Sequence, residues 1–338
     1  MRFHCPLIVF VLLSLIGCSS TGRLDDGQAR TQTPVQSLSV LGIGNSFTWN
    51  ATAYLRQIAE ADGKDLILGV AGIGGAPLDK HATIARQFAA DPADPAGRPY
   101  AASELEGYPV EIGQDPKNVK VSLREALSYR SWDVVTIQQV STKSFKPETY
   151  EPYASELIDL ILETNPDAQI YIHQTWAYRS DSERLEQWQM TQQQMHDGLV
   201  DAYNIVASRY DLPQLPVGDA FALARTKSMW QYEKDESFDP ATAAEDELPD
   251  QSGSLINGYE WVRRGGTGER FLRFDSIHAN PAGRYLGGCV WYETLFKVDA
   301  RQITFTPEAL TAEEGKSLRK IAHQAVKQEA AFSAEAAR

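Results

Sequence analysis

From Leu38 onward, short apolar runs alternate with longer amphipathic ones. Leu38-Ser39-Val40-Leu41-Gly42-Ile43 is apolar enough for a strand buried on both faces, and Leu66 to Val70 and Asp133 to Ile137 repeat the pattern. A fourth strand is predicted at Gln169 to Gln174. Between the strands, apolar residues recur at helical spacing. Ala51 to Ala61 places Tyr54, Leu55, Ile58 and Ala59 on one side before a stop at Asp62-Gly63, and further helices are predicted over Lys120 to Tyr129, Thr149 to Glu163 and about Leu185 to Arg209. Strand and helix in this rhythm predict an α/β fold, a three-layer α/β/α sandwich built on a parallel central sheet. There is no internal repeat and no second series of strands, so one domain is expected over residues 37–338. Two stretches break the rhythm. Residues 89–118 carry five prolines, and residues 235–270 are polar with Gly265-Gly266-Thr267-Gly268 as punctuation. Loops of that length are commonly lids or binding walls, so both are expected to be insertions flanking a cleft. The run from Thr311 to Phe332 reads as an edge-packing helix without chemistry of its own.

The first residues follow a different pattern. Arg2 precedes an almost unbroken apolar run from Pro6 to Ile16, too short to span a membrane and suited to a secretory signal at 1–17. Leu15-Ile16-Gly17-Cys18 resembles the processing box of bacterial lipoproteins, which implies that Cys18 becomes a lipidated first residue. Ser19 after it resembles the pattern sorted to the outer membrane. An ordinary cleaved signal with an incidental cysteine is the alternative. Residues 18–36 then read as a flexible tether, and the expected location is an exported lipoprotein held at the outer membrane by its N-terminal lipid alone. With Cys5 in the signal and Cys18 lipidated, Cys289 is the one thiol left, so no intramolecular disulfide is expected. Its apolar helical setting, Gly287-Gly288-Cys289-Val290-Trp291, suits a buried structural thiol.

Composition narrows the partners. The 338 residues are 43% hydrophobic and 23% charged, enough for a sizeable core, and 32 basic against 45 acidic residues give a net charge of −13. No basic cluster exceeds a pair such as Arg263-Arg264, which excludes nucleic acid as the expected partner. No spacing resembles a zinc site, and no H-E-x-x-H, G-x-S-x-G, dinucleotide fingerprint or Walker A motif occurs, so neither metal nor organic cofactor is expected.

Candidate chemistry begins just after the first strand. Gly44-Asn45-Ser46-Phe47-Thr48 puts a serine at the carboxyl end of a parallel strand and at a helix start, where α/β sheets hold ligands and where free N–H groups stabilise negative charge. Taken alone, this serine, Asn45 or Thr48 could simply cap the helix. Far along the chain, Asp275-Ser276-Ile277-His278 places an acid and an imidazole three residues apart in an expected loop, with Asn280-Pro281 opening the next helix. A serine hydroxyl needs a base to take its proton, and the base needs an acid to hold its tautomer. His173 ends the fourth strand on the cleft side, where substrate contact and a hydrogen-bonded structural role are both open, and Trp176 lies just beyond it. His81, His196 and His323 stand singly and are expected to be solvent-exposed.

These blocks resemble, in order and over nearly the whole chain after the tether, the SGNH/GDSL hydrolase superfamily, and most a bacterial branch whose first block reads Gly-Asn-Ser-Phe. The resemblance implies a flavodoxin-like sandwich and a serine esterase with Ser46 as nucleophile, His278 as base and Asp275 as its orienting acid. It implies an oxyanion hole from the backbone of Ser46 and Gly75, in Gly72-Ile73-Gly74-Gly75, together with a side-chain amide. The usual third block, Gly-x-Asn-Asp, is replaced here by Ile137-Gln138-Gln139-Val140-Ser141. Gln138 resembles the amide donor of some carbohydrate-esterase branches and is the expected donor, with Gln139 the alternative, since strand alternation lets only one of the two point into the site. Gln139, His173 and Trp176 are possible substrate contacts. Resembling members include esterases that remove O-acetyl groups from polysaccharides, so the expected substrate is a small or glycan ester. A lipase, a thioesterase or a non-catalytic glycan-binding lipoprotein on the same scaffold are the alternatives.

Overall fold

The computed structural model describes Met1 and residues 35–336. Met1 apart, the predicted signal, Cys18 and the tether through residue 34 lie outside the described residues. In chain order the regular elements begin with β1 (Ser37–Gly44), α1 (Ser46–Thr52), α2 (Leu55–Ala61), β2 (Asp65–Gly72) and α3 (Leu78–Ala90). They continue through β3 (Tyr100–Ala101), β4 (Lys120–Val121), α4 (Leu123–Ser128), β5 (Val134–Ile137), α5 (Tyr153–Thr164) and β6 (Gln169–His173). The remainder comprises α6 (Glu183–Gln187), α7 (Gln192–Tyr210), β7 (Gln214–Leu215), α8 (Val217–Arg225), β8 (Ile256–Arg263), β9 (Arg270–Ala279), α9 (Pro281–Phe296) and α10 (Ala312–Ala336).

Five parallel strands form the central sheet in the order β2-β1-β5-β6-β7. The chain steps from β1 to β2 in one direction and from β2 through β5 and β6 to β7 in the other. Right-handed crossovers therefore send α1 and α2 to one face and α3, α4 and α5 to the opposite one. Helices α3, α4 and α5 indeed pack on one another, while α9 returns to lie on α1 and α2. This is the predicted three-layer α/β/α sandwich. The direction reverses between β1 and β5, so their carboxyl ends border the crevice where such sheets bind ligands. Register brings Gly44 level with Gly72 there, one step beyond the Ile43–Ile137 pair.

Helix α9 is the packing centre of the first face, with every residue from Tyr285 to Phe296 buried. Gly287 and Gly288 let it lie directly on Ala51 and on Ile58, with α10 covering its outer side through Leu318, Ile321, Ala322 and Ala325. Cys289 is buried and its thiol is pushed up to about 12 by burial, as a structural thiol should be.

Several expectations need correction. The helix predicted for Ala51 to Ala61 starts earlier, at Ser46, because the Asn45 side chain accepts from the Phe47 N–H and caps it, and it is interrupted between α1 and α2. The helix expected over Leu185 to Arg209 is two, because Thr191 and Gln194 form a capping box that starts α7 afresh. Most importantly, residues 256–279 are an antiparallel hairpin, β8 on β9, in place of a loop ending in a further loop. Its alternation is masked in the sequence by a bulge at Asn257-Gly258, where Gly258 takes φ +82°. Among the single histidines, His81 is buried against the Tyr100 hydroxyl, its pKa lowered to about 4 mainly by burial. His196 reaches toward Asp219 and His323 is held between Glu293 and Asp299, so neither is the free surface residue expected.

Candidate active site

Ser46 stands at the first position of α1, at the switch between β1 and β5. It does not cap the helix; Asn45 does, which frees the serine side chain. The Ser46 hydroxyl lies 2.8 Å from His278 Nε2. On the other side of the ring, His278 Nδ1 is 3.0 Å from Asp275 Oδ2 and 3.1 Å from Oδ1. A carboxylate only accepts, so Nδ1 carries the proton and donates, which leaves Nε2 as the acceptor for the serine O–H. The residues predicted 232 positions apart are thus brought together in a Ser-His-Asp arrangement.

Asp275 is fixed from several sides. Its Oδ1 also accepts the backbone N–H groups of Ile277 and His278, and Oδ2 accepts from the Asn257 amide at 3.1 Å. Burial opposes ionisation of this carboxyl, but the His278 ring, the His278 N–H and the Asn257 amide together hold it well below the usual carboxylate range. The strand carrying the pair is anchored just as closely. Asn50 accepts the Ala279 N–H at 2.8 Å, so α1 holds both the serine and the end of β9. The Arg179 N–H donates to Ser276 O, and the buried Arg179 guanidinium is paired with Asp181 and lies over the rings of Tyr232 and Phe274. No sequence motif marks Asn50, Asn257 or Arg179. Asn257 sits in the masked bulge, and nothing local marks it.

The glutamines after β5 diverge, as strand alternation requires, yet neither is free. Gln138 is fully buried, its amide N–H groups donating to Asn45 Oδ1 at 2.7 Å and to Gln139 O, and its Oε1 accepting from the Thr48 hydroxyl. This corrects its expected role as oxyanion donor: it braces the Asn45 turn and leaves no N–H for a ligand. Gly44 has to be glycine beneath this contact, because a Cβ would collide with the Thr48 hydroxyl and the Gln138 amide. Gln139 is likewise internal, accepting from Leu78 N and Val140 N and donating to Thr149 O, so it is no substrate contact.

Burial removes the other two expected substrate contacts. His173 is fully buried beneath the sheet end, edge-on to Trp291, with its pKa lowered to about 3 by desolvation. Trp176 is fully buried between Phe47 (ring centroids 4.3 Å apart) and Phe221 (4.7 Å), and its indole donates to Ile277 O at 3.0 Å. It therefore supports the Asp275–His278 segment from below. Gly75, by contrast, is exposed, at φ +65° in the turn after β2. Neither its N–H nor that of Ser46 donates to any group among the described residues. The Gly74 N–H in the same turn is likewise without an acceptor among the described residues.

Among the described residues, one group with metal-ligand chemistry exists, Glu293, Asp299 and His323, at the carboxyl end of α9. It is closed internally: His323 pairs with both carboxylates, Glu293 also accepts Ala300 N, and Asp299 also holds Arg301.

Comparison with known proteins places the chain in a family. Residues 39–240 match the family described as Domain of unknown function (DUF4886). The fold is similar to that of a DUF4886 family protein from Bacteroides uniformis, at 25% identity and a TM-score of 0.64, over 86% of this chain and 95% of that one. More distant similarity extends to a candidate SGNH hydrolase from Slackia heliotrinireducens, at 20% identity and a TM-score of 0.46, over 77% of this chain and 99% of that one. A candidate GDSL-like lipase from Parabacteroides merdae is similar at 12% identity and a TM-score of 0.42, over 77% and 96%. No curated protein matches. With more than half of its length matched, the chain belongs to the DUF4886 family.

Proposed function

We propose that this protein is a serine esterase of the SGNH/GDSL type. The reading is carried by the 2.8 Å contact of Ser46 Oγ with His278 Nε2, backed by Asp275 on the far ring nitrogen. His278 takes the serine proton as Oγ attacks the ester carbonyl, and the oxyanion is met by the N–H groups of Ser46 and Gly75. Imidazolium His278 then gives its proton to the departing alcohol, leaving an acyl-Ser46. A water, deprotonated by the same imidazole, releases the acid and restores the serine. Asp275 keeps the ring in the required tautomer throughout. In this reading Gln138 acts one step away, by shaping the Asn45-Ser46 turn.

A fluorophosphonate probe tests this directly. Ser46 Oγ should attack phosphorus with loss of fluoride, giving one adduct, found by mass spectrometry on the peptide that carries Ser46 and absent from His278→Ala. The second reading, a non-catalytic glycan-binding protein, draws on the engaged Gln138, which leaves the oxyanion only backbone donors. An unlabelled Ser46 in folded protein favours that second reading.

We further propose that the chain is exported and anchored through lipidated Cys18, which the Leu15-Ile16-Gly17-Cys18 sequence supports. Replacing Cys18 with Ala should move the protein from the detergent phase to the aqueous phase on phase partition. Unchanged partition counts against the anchor.

A further inference from the structure

A recess that the reaction above does not use has no triad residue in its lining. It is a cavity of about 400 Å³ along the outer edge of β2, within the ~300–1,000 Å³ usual for small-molecule sites. Its upper wall is Trp49, three residues and so one helical turn from Ser46 on α1. The indole lies against Gly72, where any Cβ would strike it, and Gly72 pairs with Gly44 at the base of the Gly44-Asn45-Ser46 turn. The ring is held by this packing, since its N–H has no acceptor among the described residues. Trp49 and Gly72 thereby connect the cavity wall to the Gly44-Asn45-Ser46 turn.

The chemistry of the lining narrows the occupant. Arg56 and Glu106 form a bidentate pair at 3.1 and 2.5 Å, and Glu106 also accepts Leu68 N. Against the effect of burial, these contacts hold the Glu106 carboxyl below its usual range. Exposed Ser103 and Glu104 add a hydroxyl and a carboxylate without an ion-pair partner among the described residues. The aliphatic share is only Leu68 and Val70, too little for an acyl chain. Glu104 disfavours an anionic ligand. An aromatic wall beside paired polar groups suits a ring with one apolar face and a hydroxylated rim.

We propose that this cavity is a subsite for a neutral sugar unit of the substrate, with Trp49 as the platform and the Arg56–Glu106 pair and Glu104 as partners for its hydroxyls. It rests on the esterase reading for its link to catalysis, but binding is measurable without it. With the detergent-solubilised full chain, kcat/KM is compared for neutral O-acetylated xylo- and manno-oligosaccharides and for p-nitrophenyl acetate. The ratio of oligosaccharide to small ester is expected to fall tenfold or more in Trp49→Ala and threefold or more in Glu104→Gln, with Trp49→Phe recovering part of the loss. A ratio unchanged within twofold in both Trp49→Ala and Glu104→Gln overturns the subsite, as does a preference for acetylated polygalacturonate over both neutral substrates. Separately, deacetylated oligosaccharide titrated into Ser46→Ala protein should give saturable binding by calorimetry that is lost when Trp49→Ala is added. Absence of binding overturns the subsite even if ester hydrolysis is found. Binding without any hydrolysis by the wild type retains the subsite and removes the esterase reading.

Discussion

Replacing Ser46 with Ala is expected to lower kcat for p-nitrophenyl acetate by roughly 10⁴-fold or more, while the thermal midpoint stays within about 2 °C of wild type. The size of the loss follows from the role: without Oγ no acyl-enzyme forms, and only the backbone donors and binding remain. The unchanged stability follows from the geometry. Asn45, not Ser46, caps α1, and the serine side chain has His278 as its hydrogen-bond partner. A cap would have cost about 1 kcal/mol on truncation. Activity near that of wild type in the folded variant rules out Ser46 as nucleophile.

The second large effect is expected from Asp275→Asn, a fall in kcat of about 10⁴-fold, by analogy with triads in which the same change reverses the histidine tautomer. Asp275 accepts from two backbone N–H groups, from the imidazole and from Asn257. An amide can place its oxygen toward only part of this set, and its NH₂ then faces a donor. The same carboxylate contributes to stability with a defined sign. Its folded pKa lies below the unfolded value, so the contribution is complete above the usual carboxylate range and is lost progressively as pH falls from that range toward the lower folded pKa. The difference in urea midpoint between wild type and Asp275→Asn should accordingly be largest near pH 7 and shrink below about pH 4. A difference independent of pH would show that the carboxylate is not held ionised by its neighbours. A small change in kcat would remove Asp275 from the triad.

Ser46, Asp275 and His278 were legible because each lies in a short segment whose local pattern, strand end or acid three before imidazole, survives without tertiary knowledge. The central strands were legible for the same reason, as runs apolar on both faces. What failed was everything decided by a distant partner. Gln138 has the right chemistry for an oxyanion donor, but Thr48 and Asn45 use up both ends of its amide. His173 and Trp176 follow the sheet edge in sequence, yet α9 and the Phe47–Phe221 stack bury them. The β8–β9 hairpin was hidden because its pairing depends on a bulge, and Asn257, which steadies Asp275, sits inside it. Nothing in the sequence marks Trp49, because an aromatic residue on a helix is ordinary core unless a groove lies beside it.

The bond from the Ala279 N–H to Asn50 has a consequence for how the molecule comes into being. The nucleophile emerges early in synthesis and its base only near the end, and α9, which seats both, follows the base. On the esterase reading, a nascent chain therefore carries an inert serine. On that reading competence has to wait until β9 and α9 have docked on α1, so turnover would report that these late segments are in place.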